Sequence, residues 1–342
     1  MRSYGRRKVL ALAAGLLAAA VGCSAAPQPE PSQVAATTAK SVTPTPSAET
    51  PLITPADAAK AFATFTATDD LLRAGGDLRL AMELTRDAEA QLTSSAFLST
   101  GNRPPRYTWG APTLFVPRFK QSETAVWFTV LATRNGHPTL LTFANADAKS
   151  DDWRLSSATQ LLPGQDPPRI QLDAEGYATV LAPDDKSITI SPQFMGPLHA
   201  TVAEAGETGV AAGLLERGPY TTDVAEQITT DRERAKIGGF SYDSIFSAGD
   251  YPVYALRMVG GGALIQYAMT RTTTTTVETD KADFVPVPES ARWLYHNDRA
   301  RRFLKTTEIN QYATVVPPSG TPTPAAIIAH TGALTKAVGG DP

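Results

Sequence analysis

The residues that could carry out chemistry are few and widely spaced. The four histidines, His137, His199, His296 and His330, are too far apart for two of them to bind one metal ion from a single helix. The only cysteine is Cys23, which excludes zinc sites built on several thiolates. The chain has no Gly-x-Ser-x-Gly motif and no glycine loop of the phosphate-binding type. The sequence therefore predicts no catalytic residue, no metal site and no cofactor.

Cys23 follows an apolar segment at the N-terminus. Residues 2–8 include three arginines and one lysine but no acid, and residues 9–21 are apolar. This order is typical of a secretory signal peptide. The apolar segment is shorter than the roughly 20 residues that a membrane-spanning helix requires.

The four residues Ala20-Val21-Gly22-Cys23 resemble the lipobox of bacterial lipoproteins, although Ala20 stands where that family prefers leucine. The resemblance implies that residues 1–22 are removed as a signal peptide and that the Cys23 thiol carries a diacylglyceryl anchor. Two acyl chains are enough for stable attachment to a membrane. The alternative is cleavage at Ala18-Ala20 by an ordinary signal peptidase, which would leave Cys23 free. Residues 5–10 also resemble a twin-arginine export signal, so export by the Sec or the twin-arginine route stays open.

Residues 23–53 have the composition of a tether. They are rich in proline, alanine, serine and threonine, contain no aromatic residue and carry few charges. Such a segment cannot bury enough apolar surface to offset the entropy lost on ordering. We therefore expect a disordered spacer between a lipid anchor and a folded region.

The net charge limits the classes of partner that the protein can bind. The net charge is −3, and removal of the basic residues 2–8 would make the mature chain more acidic. Nucleic acid demands a basic surface, so we expect no nucleic-acid binding. The one basic cluster, Arg299, Arg301, Arg302 and Lys305, is either a patch for an anionic envelope polymer or protein, or a solvated strand edge.

The rest of the chain predicts an α+β fold. A helix is expected from Thr54 to Gly75-Gly76, and two shorter helices follow. Residues 125–146 contain the clearest hairpin, because Asn135-Gly136 suits a type I′ turn. A second hairpin is expected over 251–278, then a long strand, and a final segment, 325–339, that turns at Thr331-Gly332.

Helices followed by antiparallel strands thus occur twice, with "PGQDPP" at 163–168 between them. We expect two α+β domains, residues 54–165 and 166–342. The order of elements resembles the cone-shaped NTF2-like fold, which implies helices packed on curved antiparallel sheets, with two such domains in tandem. The resemblance also implies a pocket at the mouth of the cone, for which Trp127 and Trp153 are the candidate lining residues.

The whole chain resembles uncharacterised lipoproteins of actinobacteria, through its leader, its tether and the segments "RYTWGAPTLFVPR" and "WFTVLATRNG". That family carries only a domain-of-unknown-function label, so the resemblance implies a location and no chemistry. We expect a lipid-anchored protein on the extracytoplasmic face of the cell membrane that acts as a non-catalytic binding or interaction module. The alternatives are an envelope enzyme with a dispersed site, and a solute-binding protein of a transporter.

Overall fold

The computed structural model describes residues 51–340. The predicted signal peptide, Cys23 and nearly all of the tether lie outside these described residues. The described residues form one compact unit. The described part of the chain has no helix that is both long enough and apolar enough to cross a membrane.

Six α-helices and ten β-strands are present in the described residues, joined by loops and single 3-10 turns. The helices are α1 Pro55–Gly75, α2 Leu78–Glu83, α3 Asp87–Leu98, α4 Met195–Ala205, α5 Thr222–Ile237 and α6 Arg292–Tyr295. The strands are β1 Thr113–Phe115, β2 Val126–Arg134, β3 His137–Asn145, β4 Arg154–Leu161, β5 Phe240–Ala248, β6 Tyr254–Arg257, β7 Ala263–Val277, β8 Phe284–Pro286, β9 Arg299–Val316 and β10 Ala326–Gly340. This confirms the α+β class.

Local sequence signals explain the clearest of these elements. Thr54 and Asp57 form a reciprocal capping box at the start of α1, and Gly76 ends that helix with φ of 69°. Asn135 and Gly136 have φ of 53° and 82°, as the type I′ turn between β2 and β3 requires. The predicted hairpin over 125–146 is therefore confirmed, with Val126 opposite Asn145.

The predicted turn at Thr331-Gly332 is wrong, because β10 runs unbroken through both residues. Thr331 pairs with Gln311 and Gly332 pairs with Asn310 on β9. Gly332 is needed for space and not for a turn: a Cβ atom there would lie 2.2 Å from Asn310 Oδ1. A glycine that makes room for a neighbouring side chain has the same sequence signature as a turn glycine.

All ten strands belong to one antiparallel sheet. The order along the sheet is β1-β2-β3-β4-β10-β9-β7-β5, and β6 and β8 pair with β7 and β9. Strands β1–β4 precede the expected domain boundary, and β4 pairs with β10 from beyond it. An unpaired β4 edge would expose its backbone hydrogen-bonding groups, and β10 covers the end of that edge at Gln160 and Leu161. Because both halves share one sheet, two NTF2-like cones in tandem are not confirmed.

The sheet closes on itself through the segment around Ala178. The Ala178 N–H donates to the Val116 carbonyl, just beyond β1, at 2.8 Å. The Arg257 N–H on β6 donates to the Thr179 carbonyl at 2.9 Å. Backbone hydrogen bonds therefore run in a complete ring through this segment and β1, β2, β3, β4, β10, β9, β7 and β6.

Side chains fill the inside of this ring. Phe115, Leu140, Leu256 and Leu264 belong to one buried cluster there. Gln266 on β7 donates from Nε2 to Thr142 Oγ1 at 2.8 Å, across the ring from its own strand. The interior is thus a packed core, and ligand sites must be sought on the outer faces.

Helices cover two outer faces of the sheet. Phe65 of α1 packs edge-to-face on Phe143 of β3, with ring centroids 5.1 Å apart. Helices α4 and α5 cover β5, β7 and β9, where Met195, Val202 and Ile228 are buried. Strands β7, β9 and β10 continue beyond the area that α4 and α5 cover. A groove lies on this part of the strands, bordered by α5, β5 and residues 288–291.

Candidate functional site

A polar groove of about 530 Å³ lies on the long strands β5, β7, β9 and β10. The alternation of side chains along each strand decides which residues face it. On β7 these are Arg271, Thr273 and Thr275, while Thr272, Thr274 and Thr276 point to the opposite face. Thr272–Thr276 thus belong to a strand of the hairpin expected over 251–278, and every second threonine contributes to the groove.

Register places the rest of the groove wall. Glu308 on β9 pairs with Arg271, and Thr306 pairs with Thr273. Residues from α5, β5 and the loop before α6 complete the rim, among them Gln227, Tyr242 and Ser290. The groove wall therefore combines hydroxyl and amide groups with apolar side chains and one pair of opposite charges.

Arg271 is held in place on several sides. Its Nε donates to Ser244 Oγ at 2.8 Å, and its Nη1 lies 3.9 Å from Glu308 Oε2. The guanidinium also lies 5.5 Å from the centre of the Phe246 ring. The Arg271 side chain is 15% exposed and that of Glu308 is 39% exposed. The positive charge is thus fixed, and Glu308 neutralises it.

Asn310 lies at the inner end of the groove and contacts His330 of β10. His330 Nε2 is 2.9 Å from Asn310 Oδ1. The imidazole sits between Tyr220 and Tyr312, with ring centroids 4.2 and 4.9 Å away. Burial, reinforced by nearby His199, lowers the pKa of His330 to about 4, so its ring is neutral at physiological pH.

His199 of α4 is fully buried beside these rings, although its place in the sequence carried no signal for this. Its Nε2 donates to the Tyr220 carbonyl at 2.6 Å, so its Nδ1 is free to accept from the Tyr267 hydroxyl at 2.9 Å. Tyr267 in turn accepts from Thr314 at 3.0 Å. Burial lowers the pKa of His199 to about 4. This chain of hydrogen bonds fixes the orientation of the His199 and Tyr267 rings next to the groove.

The two tryptophans predicted to line a pocket do not meet. Trp153 lines a separate cavity of about 180 Å³ with Phe65 and Leu84, and packs on Phe128. Trp127 is next to Phe128 on β2 and so faces the inside of the ring, where it packs 5.0 Å from Tyr254.

The four predicted basic residues lie at the start of β9 and are all exposed. Arg301 and Arg302 line a second groove, of about 740 Å³, together with Glu278, Asp280 and Asp283. The acidic side chains reduce the positive potential of that surface. Binding of an anionic polymer or partner to Arg299, Arg301, Arg302 and Lys305 stays a prediction.

Comparison with known proteins adds the family. A profile described as "Domain of unknown function (DUF8094)" matches residues 49–339, which include all the helices and strands except the last residue of β10. The chain belongs to the DUF8094 family. No solved structure matches it.

Two relatives of this DUF8094 chain come from Streptomyces. One, "Uncharacterized lipoprotein SCO6871" of Streptomyces coelicolor, is 27% identical over 256 residues, 72% of this chain and 70% of the relative. The other, "Uncharacterized lipoprotein" of Streptomyces avermitilis, is 27% identical over 149 residues, 44% of this chain. The match spans 41% of that relative's length. The resemblance to uncharacterised actinobacterial lipoproteins is confirmed.

Proposed function

We propose that this protein is a lipid-anchored, extracytoplasmic module that binds a neutral oligosaccharide of the cell envelope in the polar groove, without catalysis. The location is supported by the lipobox-like residues 20–23 and by the lipoprotein names of both relatives. The ligand class is supported by the residues that line the groove.

The observation that carries the ligand class is the charge-neutral, hydroxyl-rich wall. Arg271 and Glu308 cancel each other at 3.9 Å, so neither an anionic nor a cationic ligand gains from the net charge. The surrounding Thr275, Thr306 and Gln227 supply hydroxyl and amide groups that donate and accept hydrogen bonds. Sugar hydroxyls match this mixture of donors and acceptors.

Binding without catalysis is supported by the arrangement of the same two charged residues. Glu308 is the carboxylate in the groove wall, and it faces the Arg271 guanidinium. A glycoside hydrolase of the usual kind uses two carboxyl groups on either side of the scissile bond. The groove wall instead combines one carboxylate with a cation, which suits positioning of a polar ligand.

The test is calorimetric titration of the full-length protein in detergent with cellotetraose, a neutral tetrasaccharide. Thr275→Val removes a groove hydroxyl while keeping the shape of the side chain, and we expect it to weaken binding by roughly threefold to tenfold. Thr274→Val is the matched control, because Thr274 is the next residue on β7 and faces away from the groove. The control should bind like the unmodified protein.

The outcomes separate the alternatives. Absence of saccharide binding, or equal loss in both variants, would reject the proposed function. Appearance of shorter saccharides during the titration would favour an envelope enzyme.

A further inference from the structure

The side-chain amide of Asn310 uses its oxygen atom to contact His330. A histidine nitrogen that faces an amide oxygen must carry the hydrogen, so His330 Nε2 donates to Asn310 Oδ1. The imidazole is held between Tyr220 and Tyr312 and cannot turn away. The amide of Asn310 is therefore locked in one orientation.

The space for this contact comes from Gly332. A Cβ atom at Gly332 would lie 2.2 Å from Asn310 Oδ1 and 3.1 Å from His330 Nε2. Gly332 does not have a positive φ, so its small size, and not its backbone freedom, is what the position requires. Asn310, His330 and Gly332 thus form one unit across β9 and β10.

With Oδ1 occupied, Asn310 presents its Nδ2 group to the groove. Nδ2 is the remaining hydrogen-bonding group of this side chain, and Asn310 lines the groove. Glu308 lies two residues earlier on the same face of β9, and its carboxylate accepts hydrogen bonds. Leu304 and Leu334 line the same groove and supply apolar contact.

We infer that Asn310 and Glu308 recognise an acetamido group of the bound sugar, and that His330 is the positioning residue that orients Asn310. The Asn310 Nδ2 group donates to the acetamido carbonyl, Glu308 accepts from the acetamido N–H, and Leu334, which pairs with Glu308, contacts the methyl group. A ligand carboxylate would also accept from Asn310, but it has no N–H to donate to Glu308. The inference rests on the proposed function and narrows its ligand to N-acetylated saccharides.

The experiment compares three tetrasaccharides that share one backbone: chitotetraose, which is N-acetylated; its de-acetylated glucosamine form; and cellotetraose. Affinities are measured by calorimetry on the full-length protein in detergent. We expect chitotetraose to bind about tenfold more tightly than cellotetraose, because one hydrogen bond and one methyl contact are added. The de-acetylated form should lack this gain.

Two variants test the positioning role. His330→Phe keeps the ring between the tyrosines but removes the N–H donor, and Gly332→Ala pushes the tip of Asn310 from its place. Both should bring the ratio of chitotetraose to cellotetraose affinity close to one, because the loss falls on the acetamido contact. A merely structural role would weaken both ligands together, and thermal melting of each variant checks the fold.

The results distinguish the two proposals. Equal affinity of the unmodified protein for chitotetraose and cellotetraose would overturn the inference and leave the proposed function standing. Binding of neither ligand would overturn both. A preference for chitotetraose that survives in both variants would overturn the role of His330.

Discussion

At the level of single residues, burial shifts the pKa of ionisable groups in the interior, and Glu89 is an example. Glu89 of α3 is 7% exposed, and its Oε2 has no hydrogen-bond partner within the described residues. Burial raises the pKa of Glu89 to about 7, although Arg134 and Arg73 act in the opposite direction. The carboxyl group is therefore close to half protonated in neutral solution.

The raised pKa of Glu89 predicts a stability that depends on pH. Below pH 4.5 the group is protonated in both the folded and the unfolded chain and has no effect. As the pH rises from there to about 7, only the unfolded chain releases the proton, so the native state loses stability. Above pH 7 the loss is complete, at roughly 3 kcal/mol.

Glu89→Gln removes this penalty, because a neutral amide replaces the carboxylate. We expect the variant to have a higher free energy of unfolding than the unmodified protein at pH 8, and a similar one at pH 5. Glu226→Gln, on the exposed face of α5, is the control and should change little at either pH. Urea denaturation at both pH values measures the difference. A gap of the same size at pH 5 and pH 8 would contradict the pKa of Glu89.

Within the secondary-structure elements, turns and caps act locally while the long strands depend on partners. The β2–β3 turn needs positive φ at Asn135 and Gly136, and the sequence supplies the residues that tolerate it. In contrast, β9 is 18 residues long and forms ladders with β7, β8 and β10. A strand of this length is stable only when the partner strands supply its backbone hydrogen bonds.

Gly136→Ala should therefore destabilise the protein by about 1 kcal/mol or more, because alanine is strained at φ of 82°. Gly75→Ala is the matched control: the glycine ends α1 without a positive φ, and an added Cβ would meet nothing within 4 Å. Denaturation midpoints of the two variants check the expectation. Equal midpoints would show that the turn conformation does not limit stability.

In the whole molecule, the ring of strands forms the folded core, whereas the predicted N-terminal anchor concerns attachment to the membrane. The ring buries a core around Leu264 and Leu256 and carries the groove on extended strands outside it. The predicted anchor depends on processing at Cys23, which lies outside the described residues. Its lipidation is a prediction that fractionation can test.

Cys23→Ala should release the protein from the membrane fraction, because the acylated thiol is lost with the cysteine. Ser24→Ala, at the next position, keeps the thiol and should leave the protein with the membranes. Immunoblots of membrane and soluble fractions measure the difference. Retention of the Cys23→Ala variant in the membrane fraction would show that the lipobox interpretation is wrong.

Sequence patterns were sufficient wherever a structure is set by neighbours along the chain. The caps of α1, the Asn135-Gly136 turn and the strand character of Thr272–Thr276 all follow from local preferences. The β5 strand was not predicted, because its polar, exposed residues resemble those of a loop. Thr331-Gly332 was misread because glycine serves turns and close contacts alike.

The candidate site could not be predicted, because its residues are far apart in the chain. Gln227, Arg271, Asn310 and Gly332 meet only after α5, β7, β9 and β10 have assembled. His199 and His330 are distant in sequence and carry no shared motif, yet both lie against Tyr312. Only strand register and helix packing bring such residues together.

The sequence by itself determined the leader pattern, the tether composition, the α+β class and the local turns, since each depends on composition or on neighbours along the chain. The tertiary structure alone decided that both halves share one sheet, that β4 pairs with β10, and that Ala178 closes the ring. It also decided that Gly332 leaves room for Asn310 and His330. Long-range pairing decides these features, because each depends on which distant backbone or side chain covers it.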